Sequence, residues 1–569
     1  MLERRLSPFT CVVAAIAFVA LYALTVPETT ADTPVYVSQI LEYYQNKPVA
    51  PPVLLWEFGH LLWRPLGYSL WRLTPVLSSW SGENPSIEIT LVFLGLNFVI
   101  GIALTILLLL LCKRLGLDEP TALGITAGFM LSSTVLNYVH SGMSYNLGFL
   151  LQIAALILIL RSGEHAGQRE LFAVGGGVAL ALAIAFWFPY VLTVPSILFA
   201  AWLTKPINVE ASLDARRTHL RMILMAAVVA AFAGVVLFGV GVWIDHLYSY
   251  DAIKQWVANS AHGIAPENRL IRLPTGITRS FLYFGDQGIV LKRFVLGDKY
   301  APVHLAELFP ALWKVVIVFL ALAFILLALA RNRRGWPALS ILLSGLVPVI
   351  AFAVLLFETA EPARYEPAYP SLIVALCALL LLPEGKKLHR RFLAVFLAVM
   401  ATVNLSAFGW ILRSTTSQVS ERAMLVHDHA SPRGVAFLLS FHDPLSKFVQ
   451  KAPLSPLNRQ NALPLYHVFE PGTARMDTWR HDAGCRILQA WSGGGEAWLS
   501  DRLTASRPKP EWEWAEQDDR RLHWADVPDF FLRFDQDGHI GTDDGFFRVA
   551  ENPKNLDHLR SICAESASK

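Results

Sequence analysis

Apolar residues in this chain collect in long runs separated by short polar stretches. Eleven such runs can be drawn before residue 413, at 9–26, 89–111, 121–139, 143–160, 171–186, 191–203, 223–243, 311–329, 338–357, 372–382 and 392–412. At 1.5 Å per helical residue the longer ones can cross a hydrocarbon core of roughly 30 Å. The pattern predicts about eleven transmembrane helices, with residues 170–203 crossing twice as two short helices broken near Pro189. Beyond residue 412 no such run occurs. Residues 530–534 and 545–549 alternate like strands around Gly-containing turns, whereas 431–448 and 493–503 carry short helical patterns. The predicted fold is an α-helical polytopic membrane domain over 1–412, followed by an α+β soluble domain over 413–569.

Charge orients the predicted helices. Arg4 and Arg5 precede the first run, and residues 24–27 make a poor cleavage site, so an uncleaved first helix with a cytoplasmic N-terminus is expected. Lys113-Arg114, Arg161 to Arg169, Arg216-Arg217, Arg331 to Arg334 and Lys386 to Arg391 then all fall on even-numbered connections. Basic clusters of this kind mark the cytoplasmic side. The opposite, periplasmic side of a bacterial inner membrane receives two large loops, 27–88 and 244–309, and the soluble domain.

Composition narrows the function. Only 16% of residues are charged and 54% are hydrophobic, against roughly 25% charged in a soluble protein. A formal net charge of +3, dispersed beside apolar runs, gives no basic patch for nucleic acid. The runs are nearly free of ionisable residues, Lys314 near an outer end excepted, which argues against an ion-coupled transporter. Cys485 and Cys563 stand alone in the soluble part and fit one disulfide if that part faces an oxidising compartment. No Cys-x-x-Cys, His-Glu-x-x-His or phosphate-loop pattern occurs. Gly175-Gly176-Gly177 lies inside an apolar run and reads as close helix packing. The acidic stretches 535–538 and 543–545 lack calcium-loop spacing and read as tight turns.

The polar chemistry is concentrated in the outer loops. The first opens Glu28-Thr29-Thr30-Ala31-Asp32-Thr33-Pro34-Val35-Tyr36 and later carries Trp56-Glu57-Phe58-Gly59-His60-Leu61-Leu62-Trp63-Arg64-Pro65-Leu66. Interleaved Tyr and Trp with few charges predict helices lying in the membrane interface. Before the run at 372–382 stands Ala363-Arg364-Tyr365-Glu366-Pro367-Ala368-Tyr369-Pro370. These features resemble the GT-C superfamily of integral-membrane glycosyltransferases, which includes protein O-mannosyltransferases and lipid A aminoarabinose transferases. In that resemblance Asp32 and Tyr36 take the place of the acidic residue opening the first loop and its nearby aromatic. The segment from His60 to Leu66 is similar to a His-x-Leu-Tyr-x-Pro pattern, and Arg364-Tyr365 begins an Arg-Tyr-x-x-Pro-x-x-Pro pattern. The resemblance covers roughly residues 1–412 and does not extend to the soluble domain.

The resemblance implies inverting transfer of a sugar from a polyprenyl-phosphate donor to a periplasmic envelope acceptor, which would be a lipid, glycan or protein. One carboxylate is needed to take the acceptor proton, and Asp32 is the expected base. The leaving phosphate needs cations, and Arg364 is the first candidate, with Arg269 and Arg272 in the second loop behind it. Tyr36, Glu57, His60, Arg64 and Tyr365 complete the expected donor-binding set. No cofactor is called for, no metal-ligand cluster is visible, and a divalent metal stays open. A flippase for lipid-linked glycans and a non-catalytic assembly protein are the alternative readings.

Overall fold

The computed structural model of the 569-residue chain describes residues 7–28, 32–46, 54–77, 85–163, 166–204, 213–259, 269–285, 303–356, 361–383, 385–414, 435–438, 462–464, 479–505, 526–541 and 545–564, with isolated positions between 287 and 294. The chain divides into two compact units, 1–283 with 313–410 and 284–312 with 411–569.

The first unit is helical throughout its described residues. Its elements are α1 Pro8–Leu24, α2 Thr33–Gln45, α3 Trp63–Leu73, α4 Pro85–Arg114, α5 Glu119–Met130, α6 Ser133–Val139, α7 Tyr145–Ser162, α8 Arg169–Phe186, α9 Val194–Leu203, α10 Leu213–Ile244, α11 Tyr250–Asn259 and α12 Arg269–Phe281. After them come α13 Phe309–Arg331, α14 Trp336–Leu356, α15 Tyr369–Leu381 and α16 Lys386–Ser406. Every predicted apolar run is helical. Among the described residues seven helices are long and apolar enough to span a bilayer, eight if α5 and α6 count as one.

Two runs are broken, each for a local reason. The run 121–139 bends by 68° between α5 and α6. Ser132 stands at the break as the N-cap of α6; its Oγ accepts the Val135 N–H at 3.4 Å and donates to the Phe129 carbonyl at 2.7 Å. Between α8 and α9, Trp187 is extended (φ −155°, ψ 110°) and Phe188–Thr193 forms a 3-10 turn with Pro189 at its start. Proline has no N–H to continue the α8 ladder, so the chain turns there. The glycine triplet packs helices together. A Cβ on Gly176 would lie 2.6 Å from Ile159 Cγ1 on α7, and one on Gly177 2.5 Å from the Ala226 carbonyl on α10.

Residues 33–45 and 63–73 fold as the two amphipathic helices α2 and α3. Helix α3 buries Trp63, Arg64, Gly67 and Trp71, and Trp71 Nε1 donates to Glu88 at 2.6 Å. Gly67 is required there, because a Cβ would meet the Phe93 ring at 2.3 Å.

The second unit contains a mixed five-stranded sheet in the order β2-β1-β3-β5-β4, with β1 Val435–Leu438, β2 Ala462–Pro464, β3 Ala497–Ser500, β4 Gln536–Ile540 and β5 Phe546–Val549. Strand β1 runs parallel to both neighbours, and β5 runs antiparallel to β3 and β4. Helices α17 Trp479–Ser492 and α19 Pro553–Ala564 are joined by the Cys485–Cys563 disulfide, with Cα atoms 5.6 Å apart. Ile487, Leu499, Phe531 and Leu559 lie fully buried in this unit's core.

Here the local pattern misleads in four places. Residues 435–438 and 497–500 are strands, not helices; each is built on a short apolar run, 435–438 and 497–499, which a strand buried on two faces and a helix share. The remainder of 431–448 lies outside the described residues. Phe530 and Phe531 end a short helix, α18 Asp526–Phe531, instead of a strand. Phe530, Phe531 and Phe534 sit at helical i, i+1, i+4 spacing, and all three are buried. Residues 536–538 open β4 with an irregular register instead of a turn, while 543 and 544 lie outside the described residues. Trp491 and Trp498 are buried; Trp512, Trp514 and Trp524 lie outside the described residues.

Candidate active site

Asp32 occupies the N-cap of α2, ahead of Pro34 in the first turn, yet its carboxylate makes no capping hydrogen bond and is exposed. The residue caps only through its backbone, whose carbonyl accepts the Tyr36 N–H at 2.9 Å. Next to it Thr33 is buried, and its Oγ1 accepts the Gly142 N–H at 2.7 Å. Trp63 Nε1 donates to the Gly142 carbonyl at 2.6 Å, and the Asn97 amide donates to the carbonyls of Ser141 and Met143. The α6–α7 link is therefore tied to the starts of both α2 and α3. His140, at its start, bonds Thr25 Oγ1 at 2.8 Å and stacks on Tyr22 with ring centroids 4.1 Å apart.

Tyr36, one turn into α2, is buried, and its hydroxyl has no hydrogen-bond partner among the described residues. Burial holds its phenol well above the usual range, and Asp32 adds to that rise. Its ring meets His60 edge-on at 5.6 Å and lies 5.4 Å from the Arg64 guanidinium. His60 Nδ1 lies 2.9 Å from Ser144 Oγ and 3.2 Å from the Phe186 carbonyl. Arg64 is only 2% exposed; it pairs with Glu57 and donates to the Leu54 carbonyl at 2.8 Å. Beyond it Asp245, just past α10, is half-buried. Burial raises its carboxyl to about 7, with Arg64 opposing the rise.

Arg364 comes from the 3-10 segment Pro362–Ala368, far along the chain, and its guanidinium lies 5.6 Å from the Trp187 ring. The fields of Asp32 and Arg364 both reach Tyr36 and Tyr145, while Asp32 also acts on Arg64. Glu361, at the start of the same segment, accepts from the Tyr138 hydroxyl. Asp32, Tyr36, Glu57, His60, Arg64 and Arg364 thus converge on one polar cluster lined by tyrosines and Trp187.

The other expected residues fall elsewhere. Tyr365 points away, into an apolar cavity of about 360 Å³ with Ile277, Phe281 and Leu342. Adjacent residues of a 3-10 turn project about 120° apart, so Arg364 and Tyr365 cannot share a surface. Arg272 is half-buried on α12 with no described contact to the cluster, and the Arg269 side chain lies outside the described residues. Arg279 sits 3.7 Å from Glu28. Tyr145, Trp187, Asp245, Glu361 and Glu366 escaped the sequence reading. Only Trp187, at a helix break, and Glu361 and Glu366, flanking Arg364, carried a local signal. Among the described residues no three His, Cys, Asp or Glu side chains gather as metal ligands.

The cluster has a definite place along the helices. Tyr145 begins α7, which ends at Arg161 and Ser162; α8 begins at Arg169 and ends before Trp187; α10 carries Arg216 and Arg217 early and ends before Asp245. Arg364 precedes α15, and Lys386 and Lys387 begin α16. The site residues and the basic clusters occupy opposite ends of the same helices.

No family model and no curated protein matches the chain. Among solved structures it is similar to ArnT from Cupriavidus metallidurans bound to undecaprenyl phosphate, at 12% identity and a TM-score of 0.40, over 97% of this chain and 99% of that one. The apo state of ArnT gives 12% and 0.37, over 97% and 98%. Arabinofuranosyltransferase AftD from Mycobacteria gives 16% and 0.38, over 96% of this chain and 40% of that one.

Proposed function

We propose that this protein is a GT-C-type membrane glycosyltransferase that moves one sugar, with inversion, from a polyprenyl-phosphate donor to an envelope acceptor at the outer face of a bacterial inner membrane. The observation that carries this reading is the gathering of an exposed carboxylate, Asp32, and two guanidinium groups, Arg64 and Arg364, around the linked rings of Tyr36, His60, Tyr145 and Trp187, at the helix ends opposite the basic clusters. The resemblance of the loop motifs to that superfamily supports it independently.

In this mechanism Asp32 takes the proton of an acceptor hydroxyl as its oxygen attacks the anomeric carbon. The bond to the phosphate oxygen breaks on the far face, and the polyprenyl phosphate leaves with its electron pair. Arg364 stabilises that charge by paired N–H donors. Arg64, held in place by Glu57, adds positive field beneath Tyr36. His60 and Tyr36 orient the sugar.

The donor's tail has a compatible environment. The cavity beside Tyr365 shares Phe281, Leu322 and Leu372 with a larger apolar cavity of about 700 Å³, which reaches His389 at the start of α16. In this reading Tyr365 contacts the lipid tail instead of the phosphate.

The test is incubation of the purified protein with candidate polyprenyl-phosphate sugars and an envelope lipid and glycan extract, following donor loss and polyprenyl phosphate release. Donor consumed with release supports the reading. A protein that neither consumes nor binds any polyprenyl-phosphate species rejects it.

A further inference from the structure

Glu366 is fully buried two residues beyond Arg364, and the mechanism above gives it no task. With the Asn146 amide set to satisfy its neighbours, its nitrogen donates to Glu366 Oε1 at 3.2 Å and its oxygen accepts the Val139 N–H at 3.1 Å. The Tyr190 hydroxyl also faces the carboxyl. Its single proton is already committed to the Tyr145 carbonyl, 2.8 Å away, so toward Glu366 it offers only lone pairs. Oε2 of Glu366 finds no donor among the described residues. A carboxylate here would set negative charge against lone pairs with one amide to stabilise it. A carboxylic acid instead has a proton to give to Tyr190, completing the chain Glu366 to Tyr190 to the Tyr145 carbonyl.

That chain fastens the surfaces on which Arg364 rests. Trp187, beneath the Arg364 guanidinium, packs against Tyr145 and Tyr190 with ring centroids 4.4 and 5.4 Å apart. Arg364 and Glu366 belong to one 3-10 segment, Pro362–Ala368, so fixing one constrains the other. We propose that Glu366, kept as the neutral acid, is a positioning residue that clamps this segment onto Tyr145 and Tyr190 and so holds Arg364 in place for the donor phosphate. The phosphate part rests on the function proposed above; the clamp does not.

The titratable groups facing Glu366 are Tyr145 from α7, Tyr190 from the 188–193 turn and Tyr369 from α15. All are phenols, whose ordinary pKa is near 10. Arg364 and Glu361 are the charged groups of its own segment. Burial raises the Glu366 carboxyl to about 8. Donor binding that needs the neutral acid then weakens about tenfold between pH 7 and 9, as the competent fraction falls.

The experiment uses the full-length protein in detergent, with a polyprenyl phosphate as the probe and Glu366→Gln and Glu366→Ala as variants. Gln keeps an N–H for Tyr190 and an oxygen for Asn146, without titrating. The wild type should lose about tenfold in affinity from pH 7 to 9 beyond any loss in the Gln variant, and the Ala variant should bind weakly at both. Comparing the two at each pH cancels the titration of the probe itself. Identical pH profiles for wild type and Gln overturn the proposal. A wild type that binds no probe defeats the donor reading instead, and thermal stability without ligand then decides the clamp. A carboxyl raised from 4.5 to about 8 contributes stability that is complete below 4.5 and is lost as pH rises to about 8. The wild type should show that decline relative to the Gln variant, and parallel stability curves remove the clamp.

Discussion

Thr33 and Gly142 are 109 positions apart, yet the Thr33 hydroxyl accepts the Gly142 backbone N–H at 2.7 Å. Gly142 has no room for a side chain: a Cβ would stand 2.5 Å from Thr33 Cγ2 and 3.1 Å from Phe93 Cβ. This contact fixes where α2 begins, and hence where the carboxylate of Asp32 stands relative to Tyr145 and Arg364.

Asp32→Asn keeps the size of the side chain and removes its capacity to accept a proton. Sugar transfer should fall by roughly 10² to 10⁴ while polyprenyl phosphate binding persists. Near-normal turnover would pass the role of base to another carboxylate of the first loop, Glu57 or Glu42.

Gly142→Ala should displace the start of α2, because the new methyl meets a buried side chain on each side. Overpacking of this kind costs about 1–3 kcal/mol. The expected signature is a lowered melting temperature together with a loss of turnover; unchanged values of both would show that the link yields freely.

Arg64 and Glu57 are buried as a pair, with side chains 2% and 10% exposed. Arg64→Ala removes the buried cation paired with the Glu57 carboxylate and should destabilise the protein by about 3–5 kcal/mol. The double variant Glu57→Gln, Arg64→Met should recover much of that loss, and a double-mutant cycle on thermal or denaturant unfolding measures it.

The Cys485–Cys563 disulfide closes 78 residues and should stabilise the second unit by about 4 kcal/mol in the chain-entropy model. Mass spectrometry of unreduced protein from an oxidising compartment should find both thiols bonded. Two free thiols there would also count against a periplasmic location for this unit.

Topology offers a separate check. A reporter active only in the cytoplasm, fused after Lys569, should be silent. Activity at that position would invert the placement of both outer loops.

The sequence by itself determined the helices of the first unit, because a run of apolar residues hides its backbone polar groups from lipid only by bonding them within the run. It also exposed Asp32, His60, Arg64 and Arg364 as candidates, since an acidic residue or arginine beside a span stands out against so apolar a background. Tertiary structure alone decided which of these meet. Arg364 meets Trp187 from far along the chain, and Tyr365, its neighbour, turns toward the apolar cavity, because side-chain direction depends on the 3-10 turn and on what packs against it. Glu366 stood beside Arg364 in the sequence, but its burial could not be read there for the same reason. Its surroundings come from Asn146, Tyr190 and Tyr369, residues brought to it from three separate elements. In the second unit four-residue apolar runs were ambiguous locally, and strand pairing, a contact between distant segments, settled them as β1 and β3.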